Sequence, residues 1–203
     1  MKKILFALAI SGLLASCKND ADEKDALHND TTSVANTITT PPAQVVEETP
    51  GIIGVFDIPE ILTLAILDSA KQEDIGFKIG KAYSAIEADI NNLGLSTEGL
   101  PPGAIYYNNN PENFVFECVV PINKTPKEQP KNSTIVILEA TRAVVYNYYG
   151  PYDKMFNAYA ELKTYLEKNK LEQSGAAREF YISDATVEKD PNKWLSKIYI
   201  PVK

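Results

Sequence analysis

One stretch decides the fold of this chain: Asn147-Tyr148-Tyr149-Gly150-Pro151-Tyr152. It ends an apolar run that is rich in β-branched and aromatic residues, and it opens a segment with helical periodicity. Because proline is tolerated at the first helical position, we predict that this helix starts at Pro151. The predicted apolar face of the helix consists of Tyr152, Met155, Tyr159, Leu162 and Leu166.

An earlier part of the chain repeats the pattern. A shift of 76 residues superimposes a second apolar face on the first one: Ile79, Tyr83, Ile86, Ile90 and Leu93. After each helix comes a polar turn with glycine and then a strand-like segment with aromatic residues, 103–107 and 177–182. Each copy closes on a β-rich strand that stops at proline, 114–122 and 195–202, because proline cannot donate to a ladder.

Strand-like sequence also precedes each helix. It covers residues 60–67 in the first copy, and 134–138 and 143–148 in the second. The repeated unit is therefore βαββ, with copies at about 51–123 and 132–203. This predicts a single α+β domain over residues 51–203, built from duplicated βαββ units.

The first fifty residues have a different character. Lys2 and Lys3 precede an apolar segment that is too short to span a membrane and ends in Leu14-Ala15-Ser16-Cys17. This resembles a bacterial lipoprotein signal, which implies a signal peptide at 1–16 and lipidation of Cys17. The alternative is an ordinary cleaved signal with an incidental cysteine. Multiple acyl chains on Cys17 would anchor the protein to a membrane stably.

Residues 17–50 carry the lipidated end and a segment rich in Asn, Asp, Glu, Thr, Ala and Pro. Such a composition cannot bury enough apolar surface to fold, so we predict a disordered tether. Acidic residues shortly after Cys17 are typical of lipoproteins displayed on some bacterial surfaces; a plain acidic spacer is the alternative. We expect an outer-membrane lipoprotein of the bacterial cell envelope, facing either the periplasm or the cell exterior.

Several kinds of chemistry are disfavoured by composition. Cys118 is the one cysteine left in the predicted domain, and the only histidine, His28, falls in the tether. This argues against a disulfide, a zinc-type ligand set or a histidine-dependent triad in the domain. The net charge of −7 and the pI near 4.9 argue against a nucleic-acid partner. We therefore expect no metal, no cofactor and no nucleic acid.

Three segments resemble the GyrI-like effector-binding domain: Tyr149-Gly150-Pro151-Tyr152, the REFYIS run at 178–183 and the IYIPV ending at 198–202. This SOUL-like domain occurs behind the DNA-binding parts of AraC-type and MerR-type regulators and as a separate protein. The resemblance spans residues 51–203 and is stronger in the second copy. It implies a duplicated βαββ fold with a curved antiparallel sheet backed by two helices, and an amphipathic ligand in the groove between the copies.

The family's acidic ligand-contacting residue corresponds best to Glu179. Alternation along the strand puts Glu179 and Tyr181 on one face and Phe180 and Ile182 on the other. If Phe180 and Ile182 pack under the helices, Glu179 faces the groove. The alternative is a solvated glutamate that pairs with Arg178 or Lys197.

Aromatic rings supply the second half of the predicted site, because their faces attract cations and cover flat ligands. The candidates are Tyr106 or Tyr107, together with Tyr146, Tyr148, Tyr181 and Trp194. The alternative for each of them is a place in the core or on the sheet surface. Many family members carry a histidine just before the glycine corner. Here Asn147 and Tyr148 precede Gly150, so no proton-transfer role is carried over.

Three functions remain open from the sequence. The leading one is a non-enzymatic, monomeric, membrane-anchored protein that binds a small amphipathic molecule, cationic or aromatic. The second is a hydrolase of reactive xenobiotics in which Glu179 activates water as a general base. The third is an envelope interaction module whose groove is filled by its own side chains.

Overall fold

A computed structural model describes residues 49–97 and 99–203 of the chain. The predicted signal peptide, the lipidation site at Cys17 and almost the whole tether lie outside the described residues. Within them, no helix is both long and apolar enough to cross a membrane. The elements are β1 (Gly51–Ile58), β2 (Ile61–Ala70), α1 (Ile75–Asn92), β3 (Gly103–Tyr106), β4 (Phe114–Pro121), β5 (Thr134–Leu138), β6 (Thr141–Tyr149), α2 (Phe156–Asn169), β7 (Ala177–Tyr181) and β8 (Leu195–Pro201).

All eight strands form one antiparallel sheet in the order β1-β6-β8-β7-β3-β4-β2-β5. The two copies meet where β3 pairs with β7. Gly103 lies at this seam opposite Phe180, and a Cβ there would come within 2.4 Å of the Glu179 carbonyl oxygen. The close approach of the two copies therefore requires glycine at this position. The predicted α+β class and duplication are confirmed.

The first strand of each copy is exchanged between the halves of the sheet. β1 belongs to the first copy but pairs with β6, whereas β5 belongs to the second copy and pairs with β2. Each copy is thus ββαββ, and β1 was not predicted from the sequence. Gly51 and Gly54 interrupt the β-branched pattern there, and both adopt positive φ, with a bulge between Ile52 and Gly54.

Short connections bend the sheet. β5 lies at one end of the strand order and β6 next to the other end, yet two residues, Glu139 and Ala140, join them. Three Cα–Cα steps span at most about 11 Å, so the two ends of the sheet must approach each other. Arg178 of β7 donates from Nη1 to the Glu139 carbonyl oxygen at 3.1 Å, which places this approach over the helix-free face.

Both helices pack on the opposite face. Ile198, Glu179, Ala104 and Cys118 oppose one another along one row across the sheet and therefore share a face. Ile198 belongs to the core under α2, and Cys118 to the core under α1. A third cluster, which includes Ala65, Ile105, Val119, Leu138 and Phe180, fills the helix-free face.

The helix that follows the corner at residues 147–152 starts later than predicted. Gly150 has φ of 146°, Pro151 is extended, and a 3₁₀ turn at Tyr152–Lys154 precedes α2. The Tyr148 hydroxyl donates to the Pro151 carbonyl oxygen at 2.8 Å. A Cβ at position 150 would lie 2.7 Å from that hydroxyl oxygen, so glycine is required for the tyrosine to hold the corner.

Candidate functional site

The seam between the copies is the floor of a groove. α1 packs against β2 and β4, and α2 packs against β6, so β3 and β7 lie between the two helices. The side chains of β3 and β7 on this face are Ala104, Tyr106, Ala177, Glu179 and Tyr181. The groove therefore has two tyrosines, two alanines and one carboxylate along its floor.

Glu179 is buried at the centre of this floor, with 6% of its surface exposed. Its Oε1 accepts a hydrogen bond from the Tyr159 hydroxyl of α2 at 2.6 Å, and its Oε2 accepts one from the Tyr181 hydroxyl at 3.0 Å. Glu179 and Tyr181 share a face, as alternation predicted. Phe180, however, packs on the helix-free face and not under the helices. Glu179 reaches the groove because it lies between the helices.

Further tyrosines complete what we call the groove cluster: Glu179, Tyr83, Tyr106, Tyr159 and Tyr181. The Tyr106 and Tyr181 hydroxyl oxygens lie 3.1 Å apart across the seam, and the Tyr83 hydroxyl of α1 donates to the Gly103 carbonyl oxygen at 2.8 Å. These side chains cover Glu179, so they fill the floor of the groove in this structure.

An aromatic stack borders the groove cluster on the second-copy side. The ring centroids of Tyr152 and Tyr181 are 5.3 Å apart in an edge-on arrangement, and those of Tyr152 and Trp194 are 5.0 Å apart. Tyr152 is 42% exposed, so this stack is the solvent-facing wall of the site. The Trp194 Nε1 donates to the Glu188 carbonyl oxygen at 2.9 Å, which fixes the indole.

The electrostatics of Glu179 set it apart from the other carboxyls. Burial raises its pKa, the hydrogen bonds from Tyr159 and Tyr181 lower it in part, and the resulting pKa is about 7. The described residues place no basic side chain against this carboxylate. The predicted alternative of a solvated glutamate paired with Arg178 or Lys197 is therefore wrong. Arg178 is the neighbour of Glu179 in β7, and Lys197 opposes Phe180. Both basic residues therefore lie on the other face of the sheet.

The surrounding tyrosines remain hydrogen-bond donors. Burial, together with the charge of Glu179, raises the pKa values of Tyr83, Tyr106, Tyr159 and Tyr181 far above the usual value of a phenol. They therefore stay protonated at neutral pH, and Glu179 is the group of the cluster that titrates there.

The other predicted aromatic residues lie elsewhere. Tyr107 is 51% exposed on the helix-free face, where its hydroxyl donates to Glu117 at 2.6 Å beside a depression of about 340 Å³. Tyr146 lies beneath α2 and donates to Glu161 at 2.9 Å. The Tyr148 hydroxyl donates to the Pro151 carbonyl oxygen, so Tyr148 is part of the corner and not of the groove cluster. Of the predicted ligand-binding residues, the structure brings together Glu179, Tyr181 and, through the stack, Trp194, and of the alternatives Tyr106 and Tyr107 it brings Tyr106 to the site.

Sequence reasoning overlooked Tyr83, Tyr152 and Tyr159 as site residues, because it assigned them to apolar helix faces or corners. The repeat contained a usable signal, since the 76-residue shift places Tyr83 on Tyr159. A polar-tipped aromatic residue at the same helical position in both copies indicates a shared place at the groove. Among residues 49–97 and 99–203, no cluster of His, Cys, Asp and Glu could hold a metal ion.

The fold and the site define a duplicated α+β domain with one buried carboxyl group at the seam of its two copies. The chain belongs to the family of GyrI-like small molecule binding domains, whose family model matches residues 68–203. No curated protein is similar enough in sequence to count as a relative.

Solved structures support the fold. The EcmrR C-terminal domain is 23% identical, with a TM-score of 0.63, and the match covers 73% of this chain and 95% of that domain. Against EcmrR in its DNA complex, the match covers 56% of that chain at a TM-score of 0.64. A hydrolase from Listeria innocua is 14% identical, with a TM-score of 0.55 and coverages of 73% and 90%. SAV2435 bound to tetraphenylphosphonium is 14% identical, with a TM-score of 0.54 and coverages of 73% and 92%.

Proposed function

We propose that the groove binds a small hydrophobic cation and that Glu179 pairs with its charge. The observation that carries this proposal is a buried carboxyl group that has tyrosine hydroxyls as its partners and, among residues 49–97 and 99–203, no basic side chain beside it. Burying an ionised carboxylate without a cation is costly, and a cationic ligand relieves that cost. Aromatic rings favour the same class of ligand, because their faces attract cations and cover apolar groups.

Binding requires the groove cluster to open, since Glu179 is 6% exposed in this structure. The exposed Tyr152 ring and the hydroxyl contact between Tyr106 and Tyr181 are the parts that must separate. Each is a local side-chain contact, so a ligand that replaces it with ring stacking and an ion pair recovers the loss. SAV2435, which shares this fold, is seen bound to tetraphenylphosphonium, a hydrophobic cation. That ligand is therefore a suitable probe for this chain.

Glu179→Gln is expected to weaken tetraphenylphosphonium binding at pH 8 by about tenfold or more, because a desolvated ion pair is lost while the shape is kept. Isothermal titration calorimetry measures the effect. Glu161→Gln is the matched control, since Glu161 also accepts a tyrosine hydroxyl, from Tyr146, but lies outside the groove cluster. Equal loss in both variants, or no binding by the wild type, would contradict the proposal. No binding by the wild type would favour the interaction module, whose groove is filled by its own side chains.

Hydrolysis is the second candidate, supported by the pKa of about 7 for Glu179 and by the presence of a hydrolase among the fold neighbours. A carboxyl group with that pKa can act as a general base near neutral pH. Both of its oxygens are held by tyrosine hydroxyls, however, so water must displace one of them. Incubation of an activated ester with wild-type protein and with Glu179→Gln distinguishes the two functions. Turnover that depends on Glu179 supports hydrolysis.

We further propose that Cys17 is lipidated and attaches the domain to the bacterial outer membrane, with the domain as a monomer and without nucleic acid. The support is the apolar segment and the Leu-Ala-Ser-Cys sequence at 14–17. Cys17→Ala is expected to move the protein from the membrane to the soluble fraction and to abolish labelling by radioactive palmitate. A Cys118→Ala variant, altered at the domain's buried cysteine, is the control and should keep both properties.

A further inference from the structure

The groove cluster is symmetric in its tyrosines but not in its charge. Tyr83 and Tyr159 are related by a shift of 76 residues, and Tyr106 and Tyr181 by a shift of 75, with their hydroxyl oxygens 3.1 Å apart across the seam. The shift of 75 residues also places Ala104 at the position that corresponds to Glu179, and these two residues are direct partners in the β3–β7 register. At this position of the groove floor the second copy therefore carries a carboxyl group, whereas the first copy carries only a methyl group.

The first-copy half also lacks a counterpart of Tyr152. A shift of 76 residues aligns Gly76 of α1 with Tyr152, whose ring belongs to the stack beside Glu179. A Cβ added at Gly76 would meet no atom within 4 Å. Gly76 lies two turns before Tyr83, about 20° from it around the helix, so it points along the same side of α1. At these two positions the second copy carries a carboxylate and an aromatic ring, whereas the first carries alanine and glycine.

We propose that the first-copy half of the groove, above Ala104 and alongside Gly76, is the subsite that takes the apolar body of the cation and sets the ligand size. This inference rests on the proposed function, because it presumes that Glu179 takes the charge. The ligand then has a defined orientation, with its charged centre towards the second copy. Ala104 is 1% exposed in this structure, so the subsite forms only when the groove cluster opens for the ligand. The small side chain of Ala104 then leaves the volume that the substituents of a bulky cation need.

Ala104→Leu is expected to reduce the affinity for tetraphenylphosphonium by about tenfold and that for tetramethylammonium by less than about twofold, because only the larger cation needs the space that leucine fills. Both affinities are measured at pH 8.5 so that Glu179 is ionised, by calorimetry for the first and by NMR titration for the second. Thermal unfolding of the variant shows whether leucine at this buried position is tolerated.

Gly76→Tyr is a second variant that is safe for folding, because Gly76 is an exposed helical residue and loss of glycine favours the helix. It is expected to weaken tetraphenylphosphonium binding selectively by about threefold to tenfold by closing the open side of the groove. Ala88→Tyr is the matched control, since Ala88 is exposed on α1 at about 140° from Tyr83 and faces away from the groove.

Each outcome decides between the two proposals. Selective loss of the bulky cation in both groove variants supports the subsite. If Ala104→Leu and Gly76→Tyr weaken both cations equally, or leave tetraphenylphosphonium unaffected, the subsite is wrong, whereas Glu179 can still bind the charge. If neither cation binds the wild type, the proposed function itself fails. If Ala104→Leu does not fold, the result for Gly76→Tyr decides alone.

Discussion

Lowering the pH from 8 to 5 is expected to weaken tetraphenylphosphonium binding about a hundredfold, because protonation of Glu179 removes the charge that pairs with the cation. In the ligand-free protein the Glu179 carboxyl has a pKa of about 7, and ion pairing with the bound cation lowers this pKa. Affinity is therefore full above pH 7 and falls about tenfold per pH unit below it, until the pKa of the complex is reached. Tetraphenylphosphonium keeps its charge throughout, so the protein alone titrates.

The groups that face Glu179 from the other elements do not compete in this range. Tyr83, Tyr106, Tyr159 and Tyr181 all have raised pKa values and stay neutral. Calorimetry at pH 7 in buffers of different ionisation enthalpy should show proton release on binding. Glu179→Gln should give a flat pH profile. A flat profile in the wild type would mean that Glu179 is not the group that recognises the charge.

Replacing Asp89 by alanine is expected to lower the free energy of unfolding by about 3 kcal/mol or more, because a buried charged acceptor is removed and its donors lose their partner. Asp89 of α1 is 1% exposed and accepts from the backbone N–H groups of Lys131, Asn132 and Ser133. The side chains of Asn132 and Ser133 add two more hydrogen bonds. The Asp89 carboxylate thus holds residues 131–133, which belong to the connection between the two copies, against α1.

The effect of the Asp89 substitution has a defined pH dependence. Burial alone would raise the pKa of Asp89, but the hydrogen bonds from Ser133, Asn132 and Lys131 outweigh it and lower the pKa. A lowered pKa in the folded state means that the stabilisation is present above the unfolded pKa and disappears as the pH falls through the folded one. Urea unfolding at pH 7 and at pH 3 should therefore show a smaller difference between variant and wild type in acid.

Asp68→Ala is the matched control for this experiment. Asp68 also accepts from a backbone N–H and pairs with Lys78 at 3.1 Å, but its side chain is 33% exposed. Surface pairs of this kind contribute roughly 0–1 kcal/mol, so a small change is expected. If Asp68→Ala and Asp89→Ala destabilise the protein equally, the connection at 131–133 is not the reason for the effect.

Local periodicity predicted most of the elements. The apolar stripe from Ile79 to Ile90 and the alternation around Glu179 depend on backbone geometry alone, so they can be read from the chain. β1 could not be recognised, because its glycines are compatible with a strand only once β6 is present to pair with it. Asp89 was missed for a similar reason. A polar residue within an apolar helix face has no visible partner until the residues at 131–133 fold against it.

The sequence by itself determined the duplication, the α+β class and that Glu179 and Tyr181 share one face of their strand, because all three follow from repeats and side-chain periods. Tertiary structure alone decided what Glu179 can do. It brought Tyr159 from a helix and Tyr181 from the same strand to the two oxygens, and kept every described basic side chain away. Desolvation and the choice of partner are properties of packing in three dimensions, and they turn a common glutamate into a buried carboxyl group with a pKa of about 7.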